Sequence, residues 1–159
     1  MNIRIISVGK IKEKYMTMAI QEYSKRLSAY CRLEIIEVKD EKVPEKLSDQ
    51  QRLKAIEAEG KRIISFLKDD EILVTLEING NQMNSLDFSE KIEAYTVQGK
   101  SQITFIIGGS LGLSSEIIRR SDWSLSFSKM TFPHQLFRVM LLEQIYRAFK
   151  IIRGETYHK

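Results

Sequence analysis

The residues able to do chemistry gather in three short stretches of the second half of the chain. The first is Gly108-Gly109-Ser110-Leu111-Gly112. Glycines so close together permit positive φ and let the backbone approach a ligand with no Cβ in between. The spacing is neither that of a dinucleotide fingerprint nor that of a Walker A loop, and a tight turn without any ligand fits it equally. The second stretch is Phe127-Ser128-Lys129-Met130-Thr131-Phe132-Pro133. Its apolar side chains, hydroxyls and backbone groups suit an adenine or thioether ligand, and suit a plain connecting loop as well. The third is the ending Gly154-Glu155-Thr156-Tyr157-His158-Lys159. Chain ends are usually featureless, yet this one carries an aromatic ring, an imidazole and an ammonium group. Position alone favours a disordered end.

Other chemistries have less support. Neither His134 nor His158 has cysteines or clustered carboxylates at ligand spacing, so no metal is expected. His134, directly after Pro133 at a helix start, reads as a capping or packing residue. A serine-hydrolase layout is not expected. Cys31 is the single cysteine and has no partner for an internal disulfide, which fits the cytoplasm.

The frame for these stretches is read from hydrophobic periodicity. With 159 residues the chain is one domain, residues 1–159. No apolar run approaches the roughly 18 residues of a membrane span, and the start lacks the apolar core and cleavage site of a secretory signal. Ile3–Val8, closed by Gly9, reads as a strand, and residues 33–38, 72–78, 103–107 and 123–127 read as four more. The third is expected to stop at the turn residues Asn79-Gly80-Asn81. Between them, Tyr15, Ala19, Tyr23, Leu27 and Tyr30 form one helical stripe. Residues 43–68 read as a charged helix, interrupted at Gly60, with Leu53, Ile56, Ile63, Ile64 and Leu67 inward. Helices follow at about 86–98, near Ser114-Ser115-Glu116 and over about 133–153. Strands alternating with helices predict an α/β fold: a five-stranded, mainly parallel sheet flanked by helices. The fourth strand is the most apolar and is expected to be central. On a parallel sheet ligands bind at the carboxyl ends of strands. There the glycines, the Phe127–Pro133 loop, and Leu76 and Glu77 would share a rim.

Charge and apolarity single out the last third. Residues 1–112 balance 17 basic against 17 acidic side chains, whereas residues 113–159 carry 8 basic and 4 acidic. A localised basic surface fits a phosphate-bearing partner, and an ordinary solvated helix face fits it too. The last helix is apolar around nearly its whole circumference, from Leu136 to Ile152. A helix of that kind must be buried on several sides. A second copy of the chain would cover it, or the helix is clamped between sheet and loops of its own subunit.

The segments Ile106-Ile107-Gly108-Gly109-x-x-Gly112-Leu113, Trp123-Ser124-Leu125-Ser126 and Thr131-x-Pro133-His134 form a joint pattern with Arg138-Val139, Glu143-x-x-Tyr146-Arg147-Ala148 and the final Tyr157-His158-Lys159. Together they resemble the RlmH family, bacterial large-subunit rRNA pseudouridine methyltransferases of the SPOUT superfamily. The likeness covers essentially the whole chain; Ser110 and Leu111 depart from the family's common turn. It implies a C-terminal trefoil knot over about residues 103–159 and a homodimer with the site at the interface. It further implies S-adenosyl-L-methionine as methyl donor, held by Leu76, Gly108, Phe127, Ser128, Lys129, Met130, Thr131 and Phe132. The implied acceptor is N3 of a pseudouridine in the helix-69 loop of 23S rRNA, in the ribosome or large subunit. Tyr157 and His158 are then the candidates for acceptor binding and proton removal, and Arg138, Arg147, Arg153 and Lys159 for holding RNA. A competing reading is a non-catalytic α/β module that binds a nucleotide or RNA. A flavodoxin-like protein is weaker, because no phosphate loop follows the first strand.

Overall fold

The structure, a computed structural model, describes residues 1–157. Its elements run β1 (Asn2–Val8), α1 (Lys14–Leu27), β2 (Arg32–Val38), α2 (Asp49–Ile64), β3 (Ile72–Gln82), α3 (Ser85–Val97), β4 (Gln102–Ile107), α4 (Ser115–Arg120), β5 (Trp123–Ser126) and α5 (His134–Ile152). The strands lie in the order β2-β1-β4-β3-β5, and every pairing is parallel. The sheet is thus wholly parallel, with β4 at its centre. Ile103, Phe105 and Ile106 of β4 are fully buried because helices cover both faces. One face packs Ile3, Ile5, Val74 and Phe105 against α1, α3 and α5. The other packs Ile6, Leu73 and Ile106 against Ile63 of α2 and Ile117 of α4.

Four sequence expectations change, the first two for a packing reason. β3 does not stop at Ile78 but continues to Gln82, with an irregularity in its pairing to β5 between Leu76 and Asn81. Gly80 sits there because the chains touch: a Cβ on it would lie 2.8 Å from the carbonyl carbon of Leu125. The glycine marks a bulge and a close approach rather than a turn. Likewise α2 runs unbroken through Gly60, where a Cβ would meet Ser114 Oγ at 2.5 Å. That helix starts only at Asp49, behind a capping box in which Ser48 and Gln51 satisfy each other's backbone amides. Finally, Tyr15 and Leu53 point to solvent although they continue apolar stripes.

The last helix, α5, buries Leu141, Leu142, Ile145, Ala148 and Phe149 against α1 and α3. Its neighbouring residues Leu136, Val139 and Met140 remain half-buried. Among the described residues no helix is long and apolar enough to cross a membrane.

Candidate functional site

Because all five strands run the same way, their carboxyl ends share one edge, and β3, β4 and β5 end there side by side. A cleft of about 340 Å³ opens between the segments that follow them. Leu76, Glu77, Ile78 and Asn79 of β3 line one side. Ile107 and the run Gly108–Leu113 line another. Ser126, Phe127, Ser128, Met130, Thr131 and Phe132 close it with His134 and Phe137 of α5.

The glycine run is a doubled-back turn. Gly112 has φ +89° and donates its N–H to the Gly109 carbonyl at 3.1 Å. A Cβ on Gly108 would lie 3.0 Å from the carbonyl carbon of Gly112, so the turn closes only because that atom is missing. Gly109 is equally confined: its Cβ would meet Val8 Cγ1 at 3.1 Å and Glu59 Oε2 at 3.2 Å. After the turn Ser114 caps α4, accepting the Ile117 amide, while resting against Gly60 of α2. The helix α2 therefore backs the loop at both ends, at Gly109 through Glu59 and at Ser114 through Gly60.

Serine hydroxyls shape the opposite wall. Ser126 Oγ donates to the Ile78 carbonyl at 2.9 Å and lies 3.1 Å from that of Ser128. Ser128 Oγ accepts the Met130 amide at 3.0 Å. Such side-chain bonds to nearby backbone fix a loop that has no ladder of its own. Phe127 stacks on Phe137 at 4.9 Å between centroids, and Phe132 leans on Phe137 at 6.3 Å. The cleft thus has an aromatic wall and a bare-backbone wall.

Of the titratable groups at hand, Glu77 and His134 line the cleft and Glu59 lies behind the glycine turn, against Gly109. Burial, seconded by the nearby Arg138 charge, pushes the His134 imidazole below its ordinary value, so it is neutral at pH 7. Glu59, 5% exposed, accepts the Glu41 amide on one oxygen and has no partner on the other. Burial holds its carboxyl above the usual range against that hydrogen bond.

Of the eight positions expected to hold a cofactor, Leu76, Gly108, Phe127, Ser128, Met130, Thr131 and Phe132 line the cleft; Lys129 is exposed and does not. Reading the sequence missed Ile78, Ile107, Ser126 and Phe137 as lining residues. It also gave His134 only a packing role. Strand alternation carried no signal for them, whereas their position beside the two loops did. Gly108-Gly109-Ser110-Leu111-Gly112 also spells Gly-x-Ser-x-Gly, the spacing of a hydrolase elbow. Ser110 is exposed and makes no hydrogen bond to His134, so no nucleophile–base pair is built there.

The basic residues separate sharply. Arg138 is 2% exposed: its guanidinium binds Glu37 at 2.7 Å, the Val8 carbonyl at 3.1 Å and the Gly9 carbonyl. It is an internal strut, which corrects its expected place on an RNA-facing surface. Arg147 forks onto Glu143 at 2.6 and 3.0 Å. Arg153 is exposed, stacked over Tyr30 at 4.4 Å and bonded to the Ala29 carbonyl. His158 and Lys159 lie outside the described residues. Tyr157 folds back on its own α5, edge-on to Tyr146 at 5.0 Å, with its hydroxyl 3.3 Å from Glu143 and Arg147 over its ring. Glu143 and Tyr146 lie nine and twelve residues beyond His134, about 14 and 18 Å along the helix axis. Tyr157 does not line the cleft of its own chain. Among the described residues no cluster of His, Cys, Asp or Glu could hold a metal ion.

A parallel sheet with a ligand-sized cleft between glycine and aromatic loops at its carboxyl edge defines an α/β protein of the small-ligand-binding kind. The family model described as "Predicted SPOUT methyltransferase" matches residues 1–158. The chain is 60% identical over 159 residues to "Ribosomal RNA large subunit methyltransferase H 1" of Clostridium perfringens, with both chains wholly covered. It is 58% identical, again over both full lengths, to the methyltransferase H of Clostridium tetani. The chain therefore belongs to the SPOUT methyltransferases, and within them to the RlmH family. The fold alone is also shared with a probable methylase family protein of Haemophilus influenzae, at TM-score 0.56 and 15% identity over 99% of this chain and 70% of that one.

Proposed function

We propose that the protein transfers the methyl group of S-adenosyl-L-methionine to N3 of a pseudouridine in the helix-69 loop of 23S rRNA. It acts on the assembled ribosome, in the cytoplasm, as a homodimer. One observation carries this: the glycine turn and the Phe127–Phe132 loop, far apart in sequence, face each other across one cleft. The residues fit the donor. Leu76, Phe127, Phe132 and Phe137 offer apolar and aromatic surface for an adenine and a thioether-like chain. Gly108 offers backbone in a cradle that a Cβ would fill. When bound, the donor supplies a methyl carbon already activated by its sulfonium, so the protein's part is chiefly alignment. The family resemblance adds a single domain over 1–159, with the segment from about 103 threaded as a trefoil knot.

The acceptor nitrogen carries an imide proton that must leave before or during transfer. Burial, and then the Glu143 charge, keep the Tyr157 phenol above its ordinary value, so at neutral pH it donates a hydrogen bond rather than removing a proton. Proton removal is then assigned to His158. Arg147, Arg153 and Lys159 are assigned to phosphate, or to the developing negative charge of the base. Since Tyr157 packs well along α5 from its own cleft, the tail that serves each cleft is the one from the second subunit. The half-buried apolar residues of α5 support that pairing.

The experiment is transfer of labelled methyl from S-adenosyl-L-methionine to purified ribosomes, followed by nucleoside analysis. Label in a methylated pseudouridine at helix 69 is expected. Label in any other nucleoside would overturn the assignment. Equal methylation of naked rRNA fragments would overturn the choice of the ribosome, which rests on recognition by shape and phosphate geometry.

A further inference from the structure

The last third of the chain carries the surplus of positive charge, but half of its eight basic residues are already engaged by carboxylates. Arg120 pairs with Glu116, Arg147 with Glu143 and Lys150 with Glu155, while Arg138 is buried. The opposite holds for the segment between β1 and α1, where the overall balance of residues 1–112 hides a local cluster. Lys10, Lys12 and Lys14 are all exposed, with Glu13 the single acidic residue among them. None of the three forms an ion pair among the described residues.

The backbone beneath these lysines is nevertheless pinned. Gly9, at φ +87°, donates to the Val38 carbonyl at 2.8 Å. The Ile11 amide binds Glu37 at 3.1 Å, and the Lys12 amide binds Gln135 at 3.2 Å. Arg138 ties the Val8 and Gly9 carbonyls to the same Glu37. Gln135 adjoins His134, a residue of the cleft wall. The buried arginine thus holds the backbone that carries Lys10 and Lys12, with Lys14 opening α1 just beyond, against Gln135, one residue from the cleft wall at His134.

We infer that Lys10, Lys12 and Lys14 form the rim that grips the phosphate backbone of the RNA presented to the cleft. This rests on the function proposed above and adds the surface by which the substrate is held. Lysine suits this role because it is a point charge that binds phosphate without reading bases, so it sets register and releases counterions.

The test is the triple variant Lys10→Ala, Lys12→Ala, Lys14→Ala in the full-length protein, assayed on ribosomes over a range of salt. The KM for ribosomes is expected to rise roughly 10- to 100-fold, with kcat and S-adenosyl-L-methionine affinity kept. The slope of log kcat/KM against log salt should become shallower by about 2 to 3, near one per lost phosphate contact. The Lys→Arg triple should restore both. A control triple, Lys46→Ala, Lys54→Ala, Lys61→Ala, changes net charge equally and should leave the slope alone. An unchanged KM and slope in the rim variant, a loss confined to kcat, or an equal loss in the control would each overturn the inference. Failure of the unaltered protein to methylate ribosomes would instead overturn the proposed function and this rim with it.

Discussion

The two edges of the sheet are built from the same strands and treat polar groups in opposite ways. At the amino edge, Arg4 of β1 is buried yet engaged through Nε and Nη1, with Glu34 at 2.8 Å, Glu71 at 3.1 Å and the Phe66 carbonyl at 3.2 Å. Thr104 of β4 donates to the same Glu71 at 2.6 Å. At the carboxyl edge Glu59 keeps an unpartnered buried oxygen, glycines leave backbone bare, and lysines stand unpaired. A closed network holds the fold together; an open one leaves groups ready for something that is not part of the chain. Buried polar atoms without partners are costly, so natural proteins keep them chiefly where they serve a purpose.

The strongest way to break this contrast lies outside both edges. Deleting residues 157–159 should lower methyl transfer to ribosomes by at least about 1,000-fold, in line with loss of acid–base groups. Calorimetry should find donor binding intact, and sedimentation should find the proposed dimer intact; full activity would remove the tail from the mechanism. Next in size, Arg4→Ala strands the buried Glu71 carboxylate and should lower stability by about 3 to 5 kcal/mol. Denaturant unfolding measures that, while turnover per folded molecule should stay within about twofold. Gly108→Ala should weaken donor binding by about 100-fold, or ~3 kcal/mol, and, because its Cβ would press on the Gly112 backbone at 3.0 Å, should also lower stability, though by less than Arg4→Ala does. If Arg4→Ala lowered turnover per folded molecule, or Gly108→Ala left donor binding intact, the division of labour between the edges would be wrong.

The smallest effect concerns Glu59. Because burial holds its carboxyl above the ordinary value, the folded chain keeps a proton that the unfolded chain releases. Its contribution to stability is therefore full at acid pH and is lost as pH rises through the raised value. Asp40 and Glu41 act in the same direction and Arg62 against them. Glu59→Gln should remove that dependence, so the variant gains on the natural chain as pH rises. Unfolding curves at several pH values would show it, and parallel curves would refute it.

Much of this frame was legible in the chain, because a strand buried on both faces must be apolar throughout and β4 is the plainest case. The two loops stood out less by their residues, which fit a tight turn and a plain connecting loop equally, than by their place at the carboxyl ends of parallel strands. Glycine's purpose was harder to read. Gly60 and Gly80 resemble breakers in sequence, yet both serve close contact with residues more than forty positions away. Arg138 counted as surface charge until Glu37 and two carbonyls proved to enclose it. Glu59 gave no signal at all, since an acidic residue on a charged helix is ordinary until its neighbours are known.

Local pattern, then, determined the number and type of elements, the edge where chemistry gathers and the family to which the chain belongs. These follow from hydrophobic period and from residues that few backbones require. Tertiary structure alone decided which charges are spent and which are free. Whether an arginine meets solvent or a carboxylate depends on segments a hundred residues apart, and Arg138 and Glu37 are such a pair. Side-chain identity fixes what a group can bind; only the packed chain determines what lies within its reach.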